Sequence, residues 1–273
     1  MPPNAPPRLL GDVDASQYPT DKSALYLQYY DEHLAGLRSK DVRLLELGIA
    51  HGGSLDVWLD YFPKGRVVGL DMNPKPEPED ERAAVYQGMQ QDPEVLDRIG
   101  REQAPEGFDV IIDDASHLGH LTEASFWHLF DNHLRPGGLY VIEDWRTAYW
   151  PTWPDGKRFR SRQPLNGGQK AADATLLGPT SQILPARLLQ RWRPRRLRSH
   201  DQGMAGFIKR LVDEMAMDMV THPKRGGGGV RLPRFKKVDV RPGQVFVVKA
   251  DEATDRLVQA QADGLTNGLG GLA

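Results

Sequence analysis

The sequence contains no cysteine, which excludes disulfides, thiolate metal sites and a cysteine nucleophile. It also lacks any run near the roughly 18 apolar residues that a membrane-spanning helix requires. Residues 1–7 are rich in proline and lack the apolar centre of a signal peptide. We therefore expect a cytoplasmic protein with no membrane partner.

A strong excess of one charge is also missing, because 35 Lys and Arg balance 37 Asp and Glu to a formal net charge of −2. Such a balance gives no reason to expect a nucleic-acid partner. One basic run, 187–198, has Trp192 among its arginines, a pattern that can bind RNA. More often such a run is solvated or faces another subunit. We expect no nucleic acid and leave a homo-oligomer open.

What the sequence does contain is a regular alternation of apolar runs of strand length with helical patterns. This alternation indicates βαβ units and a mostly parallel sheet. The motif Arg-Pro-Gly-Gly at 135–138 predicts a turn before the fifth strand. The predicted strands are 43–47, 67–70, 83–86, 109–112 and 139–142, and the predicted helices are 21–37, 54–61, 93–101 and 121–133.

The pattern breaks after Trp145 and resumes with a predicted helix over 203–219. Two short strands, 235–240 and 245–249, flank a Pro-Gly loop and predict an antiparallel hairpin. The expected fold is therefore α/β: a Rossmann-like, seven-stranded, mostly parallel sheet with an antiparallel C-terminal hairpin, in three αβα layers.

The expected organisation is one α/β domain over 20–250. Residues 146–200, rich in Pro, Arg, Gly and Trp, are interpreted as an insertion that forms a lid or an oligomer contact. Residues 1–19 are expected to be a flexible lead and residues 251–273 a flexible tail.

Acidic residues follow two apolar runs at the points where the predicted strands end. Asp114 follows the first run, Glu143 and Asp144 follow the second, and His117 comes three residues after Asp114. The carboxyl ends of neighbouring parallel strands share one edge of the sheet, so these side chains should converge. Three adjacent carboxylates repel each other unless a cation lies among them. The pattern therefore predicts a metal site with His117 beside it as a general base.

A glycine-rich loop, LELGIAHGGS at 45–54, follows the first strand and opens a helix. It is neither G-x-G-x-x-G nor a P-loop. Glu46 within the motif would repel a pyrophosphate but suits a cationic ligand, and Asp71 ends the second strand where a carboxylate accepts ribose hydroxyls. With Gly48 and Ser54 in the loop, this combination predicts an S-adenosylmethionine site. The alternative is a tight β–α turn that binds no ligand.

Three stretches of the sequence resemble a known protein family. They are 45–71 (LELGIAHGGSLDVWLDYFPKGRVVGLD), 108–117 (FDVIIDDASH) and 134–150 (LRPGGLYVIEDWRTAYW). The chain resembles class I S-adenosylmethionine-dependent methyltransferases. More closely, it is similar to the magnesium-dependent sugar O-methyltransferases of antibiotic biosynthesis, of the rhamnosyl and mycinamicin type.

The resemblance implies two cofactors, S-adenosylmethionine and Mg²⁺, and a small hydroxylated acceptor such as a sugar or glycoside. It assigns His117 as the base. Asp113 is expected either to cap the following helix or to contact the cofactor, and we favour the cofactor side. The family tends to have Gly-Asp-Gln after the third strand, where this chain has Gly-Met-Gln ending at Gln90; Gln90 is taken as a cofactor residue on that basis. The residues that it implies as metal ligands are Asp114, Glu143 and Asp144.

Three alternatives remain open at this point. One is methylation of a catechol or phenol, whose more acidic hydroxyl would need His117 less. A second is an activity like that of a cephalosporin hydroxylase component, which shares the sheet and the acidic pattern. The third is a non-catalytic cofactor-binding partner protein, which would have no use for His117.

Overall fold

The computed structural model describes residues 18, 20–74, 79–159 and 199–268. In this part of the chain, strands and helices alternate as the sequence predicts. The strands are β1 (Arg43–Leu47), β2 (Arg66–Asp71), β3 (Ala83–Gln87), β4 (Phe108–Asp113), β5 (Leu134–Glu143), β6 (Phe235–Val240) and β7 (Gln244–Lys249). The helices are α1 (Ala24–Leu34), α2 (Gly53–Tyr61), α3 (Pro93–Gln103), α4 (Gly119–Asn132), α5 (Gly203–Glu214), α6 (Met217–Val220) and α7 (Glu252–Gly268).

The seven strands form one sheet in the order β3-β2-β1-β4-β5-β7-β6. The first five strands pair in parallel, and β7 pairs antiparallel with both β5 and β6. The predicted Rossmann-like sheet with its C-terminal hairpin is therefore confirmed. Because strand order reverses between β1 and β4, their carboxyl ends border the crevice where ligands bind in open α/β sheets.

Both faces of the sheet are covered, as expected for parallel strands whose residues are almost all apolar. On one face, Leu44, Ile112 and Val141 pack against α1 and α2. On the other face, Ile111 and Ile142 pack against α3, α4 and α5. We call these the α1 face and the α4 face. Successive residues of a strand point to opposite faces, so the parity of each position decides which face its side chain joins.

Helix α1 begins three residues later than the sequence suggested. Ser23 is its N-cap, and the Ser23 Oγ accepts a hydrogen bond from the backbone N of Tyr26 at 3.2 Å. Residues 20–22, which directly precede Ser23, are not helical. Thr20 and Asp21 line a cavity at the carboxyl ends of the strands.

One further element differs from the expectation. The predicted turn at 135–138 lies inside β5, because Leu134 already pairs with Phe108 and the register then shifts between Phe108 and Val110. Within the expected tail, helix α7 spans Glu252–Gly268, and the flexibility of the tail stays a prediction. The alanine and glutamine content that suggested fraying also has high helix propensity.

Of the predicted insertion 146–200, residues 146–159, 199 and 200 are described. Short 3₁₀ helices span Trp145–Tyr149 and Gly156–Arg158. Residues 160–198, with the basic run, lie outside the described residues, as does most of the predicted lead. Within the described ranges, no helix is both long enough and apolar enough to span a bilayer.

Candidate active site

A cavity of 620 Å³ opens at the carboxyl ends of β1, β2, β4 and β5. Its walls come from the loops that follow these strands and from the segment before α1. Its size is in the usual range for small-molecule sites, about 300–1,000 Å³. The predicted site residues that line it are Gly48, Ser54, Asp71, Gln90, Asp114, His117 and Asp144.

The glycine loop is held against two neighbouring strand ends. Gly48 has a φ of +81°, and a Cβ there would overlap the backbone of Asp114 and Ala115. The Asp71 Oδ2 accepts hydrogen bonds from the backbone N of Ile49 at 3.0 Å and of Ala50 at 3.1 Å. Asp71 therefore fixes the loop while its carboxylate still borders the cavity.

Glu46 lies beneath the loop rather than in the cavity wall. Its Oε2 accepts hydrogen bonds from Ser54 Oγ at 2.6 Å and from Trp58 Nε1 at 3.1 Å. Its Oε1 lies 3.1 Å from the Lys22 Nζ. Because these partners surround the buried Glu46 carboxylate, direct contact with a cofactor stays a prediction.

Asp114, which follows β4, and Glu143, which ends β5, meet around Lys22, a residue that the sequence pattern did not indicate. The Lys22 Nζ donates to Asp114 Oδ2 at 2.9 Å and to Glu143 Oε1 at 2.7 Å, and only 3% of Lys22 is exposed. Lys22 therefore provides part of the positive charge that the sequence predicts among these carboxylates. Knowledge of where α1 begins would have been needed to find it.

Two tyrosines of α1 donate hydrogen bonds to the two acidic residues at the end of β5. Tyr30 donates its hydroxyl hydrogen bond to Glu143 Oε1, and Tyr26 donates to Asp144 Oδ1 at 2.6 Å. Gly243, in the loop between β6 and β7, makes room for the Tyr26 hydroxyl, because a Cβ at that position would overlap it. The hairpin therefore supports the acidic site indirectly.

Three predicted residues converge on the cavity side of this cluster. The His117 Nε2 lies 4.0 Å from Asp114 Oδ1 and 3.9 Å from Asp144 Oδ2. One ligand atom from each of these residues lies within 4.8 Å of the others, a spacing that could hold a metal ion. Glu143 is not part of this group; it is 2% exposed and turned toward Lys22 and Tyr30.

Backbone strain is concentrated at the same place. Among the described residues, the non-glycine residues with positive φ are Ala50 (46°), His117 (52°) and Asp144 (52°), and all three line the cavity. Such conformations cost about 1–3 kcal/mol each and persist where the surroundings enforce them, often at functional sites. The Trp153 Nε1 stabilises the backbone conformation of His117 by donating to its carbonyl oxygen at 3.1 Å.

Burial makes this site a poor place for negative charge alone. It raises the pKa of Asp114 to about 7 and that of Glu143 to about 8, although Lys22 opposes both shifts. Burial alone would lower the pKa of Lys22, but Asp114, Glu143 and Glu46 together raise it well above its ordinary value. A further cation would favour the ionised carboxylates.

Asp113 occupies the opposite face of the sheet and does not line the cavity. Its buried carboxylate accepts from Ser125 Oγ at 2.8 Å, Gln90 Nε2 at 3.1 Å and Tyr140 Oη at 3.3 Å. Burial raises its pKa to about 6. Gln90, whose Oε1 accepts from the backbone N of Ser116 at 3.1 Å, connects Asp113 to the cavity.

The sheet order and the site at its edge define a Rossmann-like methyltransferase fold. Residues 21–143 match the FtsJ-like methyltransferase family. The chain is similar to two crystal structures of the MycE methyltransferase from the mycinamycin biosynthetic pathway. The complex with Mg and SAH has 31% identity and a TM-score of 0.63, covering 94% of this chain and 60% of that one. The complex with Mg, SAH and mycinamycin VI has 32% identity and a TM-score of 0.61, covering 90% and 56%.

Curated relatives give the same picture. One is the 8-demethyl-8-(2-methoxy-alpha-L-rhamnosyl)-tetracenomycin-C 3'-O-methyltransferase of Streptomyces olivaceus, 42% identical over 236 residues, which are 83% of this chain and 50% of the relative. Another is the mycinamicin VI 2''-O-methyltransferase of Micromonospora griseorubida, 44% identical over 147 residues, 50% of this chain and 36% of the relative. The chain thus spans at most half the length of these relatives. Its resemblance to class I methyltransferases, and among them to sugar O-methyltransferases, is confirmed.

Proposed function

We propose that this protein is an S-adenosylmethionine-dependent, magnesium-assisted O-methyltransferase that acts on a hydroxyl of a sugar moiety or a glycosylated natural product. The observation that carries the proposal is the convergence of Asp114, Asp144 and His117 on the cavity that the glycine loop also borders. The acceptor class is supported by the relatives, whose names specify O-methylation of mycinamicin VI and of a rhamnosyl tetracenomycin.

The cavity suits a sulfonium cofactor better than a nucleotide phosphate. Among the described residues, its lining includes four carboxylates and neither lysine nor arginine. A cation is attracted to such a wall and a pyrophosphate is repelled. Gly48, Ser54, Asp71 and Gln90 form the part of the wall that would hold the cofactor, with Glu46 and Asp113 behind it.

The residues on the other side fit magnesium. Carboxylate oxygens are the ligands that magnesium prefers, and the chain has no cysteine to favour a softer metal. Asp114 and Asp144 would hold the ion, and Glu143, which is hydrogen-bonded to Lys22 and Tyr30, stays a predicted ligand. When bound, the ion supplies a positive charge that lowers the pKa of a coordinated hydroxyl.

His117 is placed to take the proton from the acceptor hydroxyl at its Nε2. The Trp153 indole and the Thr147 hydroxyl donate to its carbonyl oxygen, at 3.1 and 3.4 Å, and so hold the backbone of His117 in place. An imidazole alone is too weak a base for an alcohol at neutral pH, which is why the base and the adjacent acids belong to one site.

The test is a methylation assay with S-adenosylmethionine, magnesium and a panel of rhamnosyl and other deoxysugar glycosides, with catechols as rival acceptors. We expect a glycoside to be methylated. We expect His117→Ala to lower kcat about 10²- to 10⁴-fold, the usual contribution of a general base, while cofactor affinity is retained.

The matched control is His120→Ala, because His120 is an exposed histidine of α4 that does not line the cavity. Its kcat should equal that of the wild type. Methylation of catechols without methylation of any glycoside would overturn the proposed acceptor class. Full turnover by His117→Ala would overturn the assignment of the base.

A further inference from the structure

Lys22 is a buried charge to which the proposed reaction assigns no step. Its ammonium group lies 2.9 Å from Asp114 Oδ2, 2.7 Å from Glu143 Oε1 and 3.1 Å from Glu46 Oε1. An ammonium removed from water is costly unless it is paired, so three carboxylates around it make its position stable. The same contacts keep the carboxylates close to each other.

The position of Lys22 is set by the start of α1. Ser23 caps the helix, and the backbone N of Lys22 donates to Thr20 Oγ1 at 3.3 Å. The lysine therefore belongs to the segment that borders the cavity between Thr20 and the helix. Its side chain approaches the acids on the α1 face of the sheet, where Glu143 and Asp114 follow buried strand residues.

Contacts from this segment and from α1 divide the carboxylate oxygens into two sets. Lys22 donates to the Oδ2 of Asp114, and Tyr26 donates to the Oδ1 of Asp144. The other oxygen of each aspartate, Asp114 Oδ1 and Asp144 Oδ2, is the one that lies about the His117 Nε2 at 4.0 and 3.9 Å. Each aspartate is therefore fixed through one oxygen and presents the other to the cavity.

The charge balance gives Lys22 a second effect. Glu46, Asp114, Glu143 and Asp144 are four acids, and among the described residues Lys22 is the lysine that contacts them. A positive charge at this place relieves repulsion when no metal is bound. The same charge repels a divalent ion that binds to the same carboxylates.

We propose that Lys22 is a built-in cation that keeps the acidic site assembled before magnesium binds and thereby limits how tightly magnesium is held. This inference rests on the magnesium site of the proposed function. It makes Lys22 a positioning residue, which acts through Asp114 and Glu143 rather than on the substrate.

The experiment compares wild type with Lys22→Met, by calorimetric titration of Mg²⁺ and by thermal unfolding with and without Mg²⁺. We expect Lys22→Met to melt at a lower temperature without magnesium. We expect its Kd for magnesium to fall about tenfold or more, since one unit of repulsion is removed. If Lys22 had a purely structural role, the Lys22→Met variant would bind magnesium more weakly instead of more tightly.

Lys64→Met is the matched control, because Lys64 is an exposed lysine away from the cavity. Glu46→Gln is the second test: it removes an acid that neither lines the cavity nor contacts the solvent, so it should weaken magnesium binding. The two variants should thus shift the Kd in opposite directions. If Lys22→Met is unfolded both with and without Mg²⁺, the magnesium Kd of Glu46→Gln is the test of the inference.

A folded Lys22→Met with an unchanged or weaker magnesium Kd would overturn the inference, and so would an unchanged Kd in Glu46→Gln. In either case, magnesium binding by the wild type would leave the proposed function standing. Absence of any magnesium binding by the wild type would overturn both the metal part of the proposed function and this inference.

Discussion

Asp113 and Asp114 are adjacent in the chain, yet they point to opposite faces of the sheet and into different chemical surroundings. Asp113 lies on the α4 face and is satisfied by neutral donors from Ser125, Gln90 and Tyr140. Asp114 lies on the α1 face, beside other carboxylates and a lysine. The first environment keeps a carboxyl group buried and fixed, and the second gathers charge at a cavity.

The difference extends across three neighbouring strands. Glu46, Asp114 and Glu143 all sit two residues beyond an apolar residue that packs on the α1 face, and β1, β4 and β5 are adjacent in the sheet. Their side chains therefore converge on the same face, where α1 and the segment before it supply Lys22 and Tyr30. Strand parity, rather than closeness in sequence, determines which acids act together.

Replacing the two aspartates one at a time should give the largest difference in activity between the α1 face and the α4 face. Asp114→Asn should lower kcat on the order of a thousandfold, since a lost metal contribution of about 4 kcal/mol corresponds to that factor. Asp113→Asn should retain most of the metal-dependent rate. Methylation rates measured at one magnesium concentration that saturates the wild type test both variants; equal losses in the two would contradict the division between the faces.

Removing one tyrosine hydroxyl group on each face should change magnesium affinity on the α1 face alone. Tyr30→Phe deletes a donor to Glu143 and should weaken magnesium binding about 10- to 100-fold, as loss of an outer-shell partner usually does. Tyr140→Phe makes the same chemical change beside Asp113 and should leave magnesium affinity unaltered. Calorimetry with Mg²⁺ on both variants checks this, and an effect of Tyr140→Phe as large as that of Tyr30→Phe would count against it.

On the α4 face, the expected effect is on stability alone. Ser125→Ala removes the 2.8 Å hydrogen bond to Asp113 and should lower the free energy of unfolding by about 1–3 kcal/mol. Urea denaturation measures that loss. Magnesium affinity should equal that of the wild type, and a weaker affinity would show that the two faces are coupled.

The smallest effect concerns pH. The pKa of Asp113 is raised to about 6, so the folded protein holds this proton more tightly than the unfolded chain does. Its contribution to stability is present below about pH 4 and is lost as pH rises through about 6, with a slope of at most about 1.4 kcal/mol per pH unit. Asp113→Asn should therefore show a flatter decline over this interval. Parallel curves for wild type and variant would refute the raised pKa.

The sequence was sufficient for the sheet and for most of the site. Apolar periodicity predicted the strands and the hairpin, and the acids at strand ends predicted the convergence of Asp114 and Asp144 with His117. Strand parity, applied to the same pattern, would also have separated Asp113 from Asp114. The turn expected at 135–138 was wrong because the pairing of Leu134 with Phe108 begins β5 early.

Lys22 could not be predicted in the same way. Its role depends on where α1 begins and on the direction in which the preceding segment crosses the strand ends, both of which are tertiary features. The periodic pattern of α1 continued back to Asp21 and so placed Lys22 in a helix. The buried position of Glu143 behind the aspartates likewise follows from contacts with Lys22 and Tyr30, not from local sequence.

The most direct test of the central claim is calorimetric titration of S-adenosylmethionine and of Mg²⁺ on wild type and Asp114→Asn. We expect both proteins to bind the cofactor, and we expect the heat of magnesium binding to be present in the wild type and lost in the variant. Cofactor binding without any magnesium heat in the wild type would contradict the metal site, and no cofactor binding at all would contradict the methyltransferase proposal.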